Sequence, residues 1–296
     1  MALAKDTIRD NISVLSQREL ISFCSYPKFS HVDEEANIAN EDLIAVERVR
    51  DEFYRIKTLG FTRCDSYRAL LSSGAAGEHF EHLLGVKENN LREPDFDGWE
   101  IKTKRATGGY SSLFNIAPDT PGKTSEWVRE QFGKVNEDWP DHKKLYCSLY
   151  HHRNSKVYNR WLMRLKLDDE QEKMYLVVCD LNEVLVDDSI YWNYEKINEY
   201  ATRKLKNTFL VDGIDERMTS DESTKEFRYY SASAYFGFSF DKFLDGIRGG
   251  IVQYDFRLST YSHNSVRAGQ LIDKGCGFRL KGREFYENLF VSSIDL

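Results

Sequence analysis

Cysteine is scarce in this 296-residue chain: five copies, at positions 24, 64, 147, 179 and 276, odd in number and never in a C-x-x-C pair. That excludes a disulfide framework and a cysteine-based zinc site as organising devices. Long apolar runs are missing as well. Tyr175-Leu-Val-Val-Cys179 is far too short to span a bilayer. The opening MALAKDTIRD has no hydrophobic signal region, so a cytoplasmic protein with no membrane role is expected. Internal repeats and low-complexity tracts are absent too. With 41% hydrophobic and 14% aromatic residues, wholesale disorder is excluded, and the length allows one large domain or two modest ones.

Charge of one sign does not dominate locally, although the total is −7 from 41 basic and 48 acidic side chains. Residues 94–164 carry 12 basic and 9 acidic side chains, whereas residues 165–246 carry 10 and 18. From Arg248 to Arg283 seven basic residues face only Asp255 and Asp273. An acidic body with two basic stretches can present a positive face. Ordinary solvated charge explains the same counts.

Apolar spacing predicts helices over residues 1–25, from about Glu41 to Lys57 with Asn40 as cap, and from Glu78 to Asn89. Further helices are expected at Ser125–Phe132, Asn193–Leu205, Ser239–Arg248 and near Glu284–Leu289. Strand signals fall at Trp99–Lys104, Leu145–His151, Trp161–Leu167, Met174–Asp180, Thr208–Val211, Phe227–Tyr230, Ile251–Thr260 and Cys276–Leu280. The texture is mixed α and β, with one soft composition shift near residue 72. The expected division is an N-terminal helical extension (1–73), a catalytic lobe (74–165), and the remaining sheet with a recognition lobe (166–296).

Chemistry concentrates in Pro94-Asp-Phe-Asp-Gly-Trp-Glu-Ile-Lys102. Asp97-Gly98 is a strong signal for a two-residue type I′ hairpin turn, which needs positive φ at both central positions. That register pairs Phe96 with Trp99 and sets Asp95 opposite Glu100, with Cβ atoms roughly 4.5–5.5 Å apart. Lys102 projects from the face of Glu100, Trp99 and Ile101 from the other. Facing carboxylates destabilise a hairpin unless a cation lies between them. Mg²⁺ takes one or two carboxylates plus waters and phosphate oxygens. Asp95, Glu100 and the carbonyl of Ile101 form such a set; the bound cation would lower the pKa of a water and neutralise a phosphate. Lys102 would orient that water and stabilise developing charge. A surface hairpin whose acids merely face water is compatible with the same spacing. Glu81, three residues beyond Glu78 on one helical face, is an auxiliary acid if that helix packs under the hairpin, and a solvated acid otherwise.

These residues resemble the active-site region of the MvaI/BcnI restriction endonucleases, relatives of the mismatch-repair nickase MutH in the PD-(D/E)xK nuclease superfamily. The likeness is carried by Gly77-Glu-His-Phe-Glu-His-Leu-Leu and by Asn90-Leu-Arg-Glu-Pro-Asp-Phe-Asp-Gly-Trp-Glu-Ile-Lys-Thr103. Asp188-Ser-Ile-Tyr-Trp192, Arg257-Leu-Ser-Thr-Tyr-Ser-His263 and Gly277-Phe-Arg279 resemble later parts, so that roughly residues 74–290 are covered. The resemblance implies an α/β fold whose mixed sheet carries the metal site, with a second DNA-recognition lobe. It implies Asp95, Glu100 and Lys102 as catalytic residues with Glu81 assisting, and Mg²⁺ as cofactor, with Mn²⁺ as a substitute. It further implies a monomer that cuts both strands of DNA at a short, GC-rich, pseudo-palindromic site, alongside a cognate methyltransferase. By position, Arg257, Asp273, Lys274 and Arg279 are expected to read bases, with His263 and Arg267 in the same stretch; Lys104 and Arg105 continue the catalytic strand toward the backbone. One departure stands out. Where the family has a His-Asp-His cluster, this chain has Ile272-Asp273-Lys274, which leaves the exact recognition site open.

Two rival readings remain: a strand-nicking repair endonuclease, and a non-catalytic DNA-binding protein on the same fold. His151-His152 is set aside, because adjacent histidines on a strand point to opposite faces. Gly74–Gly77 lacks the Gly-Lys-Ser/Thr ending of a phosphate loop.

Overall fold

The computed structural model describes residues 40–64, 74–86, 94–105, 109–220, 223–282 and 286–296. The helix expected over residues 1–25 and most of the N-terminal extension lie outside the described residues. No helix among the described residues is long and apolar enough to cross a membrane.

The chain forms two compact units, each assembled from separated stretches. The first takes the residues up to Gly108 together with Arg203–Ser239 and Phe290–Leu296; the second takes Gly109–Thr202 and Phe240–Leu289. This differs from a linear division at residues 73 and 165. The reason is strand pairing: β2 (Glu100–Thr103) lies parallel to β10 (Asn207–Met218), with Glu100 opposite Thr208 and Lys102 opposite Leu210. A parallel pair needs a long crossover, and here the crossover contains the whole first stretch of the second unit and ends in α4 (Tyr194–Leu205).

In the first unit the sheet order is β1 (Thr62–Cys64), β11 (Lys225–Phe238), β10, β2, and β15 (Phe290–Asp295) also pairs with β11. Helix α1 (Asn40–Thr58) buries Val46, Val49, Phe53 and Ile56, spaced three to four residues apart, in the core formed with Phe209, Phe227 and Tyr229. Helix α2 (Ala75–Leu83) adds Ala75, Ala76 and Phe80. Gly77 lets α2 sit close to the sheet, since a Cβ there would stand 2.9 Å from Thr103 Oγ1 and force one of them to shift. The helix stops short of the expected Asn89 because Gly85 turns to φ +76 and its N–H bonds back to His82.

The second unit holds a six-stranded sheet, in the order β3 (Tyr110–Phe114), β14 (Gly277–Lys281), β12 (Val252–Thr260), β5 (Lys143–Leu149), β4 (Lys134–Val135), with β13 (Leu271–Asp273) on β12. A four-stranded antiparallel sheet runs β6 (Ser155–Val157), β7 (Trp161–Asp168), β8 (Lys173–Cys179), β9 (Leu185–Asn193). Helices α3 (Ser125–Phe132) and α5 (Phe240–Gly249) complete it, with Trp192, Phe243, Tyr254, Phe256 and Phe278 fully buried. The helix expected at Glu284–Leu289 is a short 3₁₀ turn, Tyr286–Leu289, that leads directly into β15. Tyr286 and Leu289 are buried within the turn, Leu289 beside Gly246 of α5, and the chain then extends so that buried Phe290 pairs with Phe238 of β11.

Candidate active site

The hairpin that ends in β2 has the geometry its turn residues require. Asp97 and Gly98 take φ +48 and +82, and Phe96 and Trp99 exchange both backbone hydrogen bonds at 3.0 and 2.7 Å. Trp99, fully buried, anchors the hairpin edge-on to Phe209 and Phe236. The opposite face presents the polar side chains. The Ile101 N–H donates to Asp95 Oδ2 at 3.0 Å, fixing the first carboxylate over the second. Glu100 is only 1% exposed, and its Oε1 accepts from Lys102 Nζ.

Burial and crowding leave a mark on the acids. Burial, followed by the nearby Glu100 charge, raises the Asp95 pKa, while the Ile101 N–H, Lys102 and Lys204 oppose the rise. Glu81 on α2 is pushed up to about 7, by burial first and then by Asp95, with Glu100 and Glu78 adding and Lys102 opposing. Glu81, Asp95, Glu100 and Lys102 are thus one electrostatic cluster. A side chain not anticipated from the sequence joins them: Lys204, in the last turn of α4, stands 3.0 Å from Glu100 Oε2.

Asp95, Glu100 and the Ile101 carbonyl are a hard-oxygen donor set, and burial followed by the Glu100 charge raises the Asp95 pKa, so a cation beside the pair would relieve both effects. Such a set suits Mg²⁺, which keeps several positions for water and phosphate oxygens. Among the described residues no three His, Cys, Asp or Glu side chains come together as a group that could hold a metal ion.

The basic residues expected to read bases divide three ways. Arg257 and Arg279 gather in the second unit around Asp255, and Asp255 and Arg257 line a cavity of about 460 Å³ together with Lys274, Tyr146, Cys147, Ser148 and Phe256. Asp255, 4% exposed, is held by Arg279 at 2.7 Å, Arg257 at 3.2 Å and the Gln253 amide at 2.7 Å. Arg279 also donates to Gly275 O at 2.8 Å and to Ser112 Oγ, and burial lowers its pKa while Asp255 opposes. Asp273 is turned to the backbone, accepting from Gly275 N–H at 2.9 Å and Cys276 N–H at 2.7 Å. His263 stacks on His142 at 4.3 Å between ring centroids, and exposed Arg267 lies beside Tyr261. Lys104 and Arg105 belong to the first unit: Lys104 is buried and Arg105 pairs with Glu216 at 3.1 Å. Sequence reasoning passed over Asp255 as a site residue, yet strand alternation in β12 already puts it on the face of Arg257.

A mixed sheet whose parallel strand carries an acid-x-lysine pair, approached by a helical acid, is the PD-(D/E)xK restriction-endonuclease class of fold. The model of the MvaI/BcnI restriction endonuclease family matches residues 51–290, and the chain belongs to that family. The chain is similar to the solved structure of restriction endonuclease MvaI in complex with its cognate DNA substrate, with a TM-score of 0.75 and 22% identity over 88% of this chain and 99% of that one. Against MvaI in the absence of DNA the TM-score is 0.55 at 23% identity, with the same coverage. No curated protein matches it.

Proposed function

We propose that this chain is a type II restriction endonuclease that hydrolyses both strands of DNA at a short, GC-rich, pseudo-palindromic site. It works as a monomer in the cytoplasm, Mg²⁺-dependently and with Mn²⁺ as a substitute, and a cognate methyltransferase protects the host's own sites. The observation that carries this reading is the cluster of half-buried Asp95 and Lys102 around buried Glu100, with Glu81 beside it.

Asp95, Glu100 and the Ile101 carbonyl would hold the metal, which supplies charge neutralisation at the scissile phosphate and acidifies bound water. The chain's own groups do the rest. The Ile101 N–H keeps Asp95 aimed at Glu100, and Lys102 Nζ, partly exposed, is positioned to donate to an attacking water or to a non-bridging phosphate oxygen. Glu81, with a pKa near 7, exchanges a proton close to neutral pH, as a general acid or base should. In the second unit Arg257, 44% exposed, carries a fork suited to guanine O6 and N7, and buried Asp255, itself held by Arg279, orients it. Lys274, Arg267 and His263 supply further contacts to DNA.

The test is digestion of a sequenced, unmethylated plasmid with Mg²⁺ by wild type and Glu100→Ala side by side. Discrete linear fragments from wild type alone are expected. Open circles would replace double-strand cleavage with nicking, and equal activity of both proteins would sink the assignment of the site.

A further inference from the structure

The structure assigns a role to Lys204: we propose that it is a positioning residue of the nuclease centre, an ammonium that holds Oε2 of Glu100 and sets the net charge of the carboxylate cluster. The inference rests on reading that cluster as the nuclease site. Glu100 is almost fully buried, and two ammonium groups share it, Lys102 on Oε1 and Lys204 on Oε2 at 3.0 Å. One carboxylate needs one counter-charge, so the second cation serves the neighbourhood. Its field also reaches Asp95, the other carboxylate of the pair.

Placement supports the assignment. Lys204 sits in the last turn of α4, where the helix dipole favours a cation. The chain then enters β10 at Asn207, and Thr208 lies directly opposite Glu100 in the parallel ladder. The lysine is therefore held by a helix end and a strand register, not by a loop, and its side chain is only 18% exposed. Glu100 Oε2 is buried without an aligned hydrogen-bond donor, so the Lys204 ammonium at 3.0 Å meets it as a charge. With all three acids ionised, they and the two lysines sum to −1, or to −2 without Lys204. The lysine thus weakens the site's appetite for a divalent cation and leaves the loaded site more attractive to a phosphate.

Removing it should move those two properties in opposite directions, which a merely structural lysine would not do. Lys204→Met is expected to bind Mn²⁺ alone several-fold more tightly than wild type in an electron-paramagnetic-resonance titration without DNA, because a like charge close to the ion has gone. The same variant should cleave duplex DNA about 10- to 100-fold more slowly in single turnover, the usual cost of losing a residue that orients a ligand. Lys204→Arg should return both values toward wild type. Lys204→Gln provides a second uncharged variant in case the methionine protein does not fold. Unchanged or weaker Mn²⁺ binding would overturn the proposal, as would failure of both uncharged variants to fold, since the lysine would then be structural. If wild type cuts no DNA while the Mn²⁺ ordering holds, the nuclease reading fails and the charge-setting role of Lys204 stands.

Discussion

Each of the two units builds a charged cluster on a buried carboxylate, Glu100 in one and Asp255 in the other, and the clusters have opposite polarity. In the first, three acids (Glu81, Asp95, Glu100) outnumber two lysines (Lys102, Lys204), and the two outlying carboxyls have raised pKa values. In the second, one buried acid, Asp255, organises Arg257 and Arg279, with Lys274 on the same cavity. Charge excess in a dry place is a statement about what is to bind there. The first cluster carries an excess of negative charge, and the second gathers arginines around one carboxylate. Net charge of the whole chain reveals neither.

The comparison breaks most visibly in activity. Glu100→Ala should abolish cleavage while leaving specific DNA binding within a few-fold of wild type. Arg257→Ala, whose side chain is 44% exposed and so dispensable for folding, should do the reverse. Cleavage chemistry persists, and discrimination at one base pair relaxes by about 1–3 kcal/mol. Competition between cognate and singly altered duplexes measures both. If the two variants lose the same property, the division of labour is wrong.

Stability separates the clusters next. Asp255→Ala would leave Arg279, 9% exposed, as a buried cation without its carboxylate. Breaking such a pair from one side costs about 3–5 kcal/mol, since the remaining charge stays desolvated. Urea unfolding should show that loss; a change below about 1 kcal/mol would mean that the arginine escapes to water.

In the acid-rich cluster, stability should depend on pH in a defined direction. Glu81 moves from 4.5 to about 7 on folding, so the folded state holds its proton more tightly than the unfolded chain. The associated stabilisation is complete below about pH 4.5 and is lost as pH rises through about 7. Glu81→Gln keeps the shape and removes the titration. Thermal melts in the absence of divalent cations should show wild type falling relative to Glu81→Gln over that window, and parallel curves would mean that the carboxyl is solvated.

How legible these clusters are in sequence follows from how local they are. Asp95, Glu100 and Lys102 lie within one hairpin whose register Asp97-Gly98 determines, so spacing alone places them together. Helices α1, α3 and α5 are legible for the same reason, their apolar stripes being short-range patterns. Lys204 joins Glu100 only through a parallel strand pair formed across an entire second unit, and no local pattern encodes that. Strands β10 and β11 run far past their apolar segments, into Asp215-Glu-Arg217 and Lys225-Glu226, where cross-strand ion pairs such as Arg217–Glu226 at 2.6 Å replace burial. A hydrophobic pattern cannot register that kind of pairing.

The smallest effect sharpens the claim that the hairpin is built by local backbone chemistry. At its tip Arg48 on α1 reaches Asp97 at 2.9 Å, with 64% of the arginine side chain exposed. Gly98, next in sequence, has φ +82 and open space around a would-be Cβ. Gly98→Ala therefore meets no clash and pays only for the left-handed backbone, about 1 kcal/mol. Arg48→Ala removes an exposed ion pair, which in water is worth about 0–1 kcal/mol and less in salt. Paired urea titrations at low and high salt distinguish the two. If Arg48→Ala proves the costlier and its cost vanishes with salt, then the ion pair, not the turn, holds Asp95 over Glu100, and the site is less local than its sequence suggests.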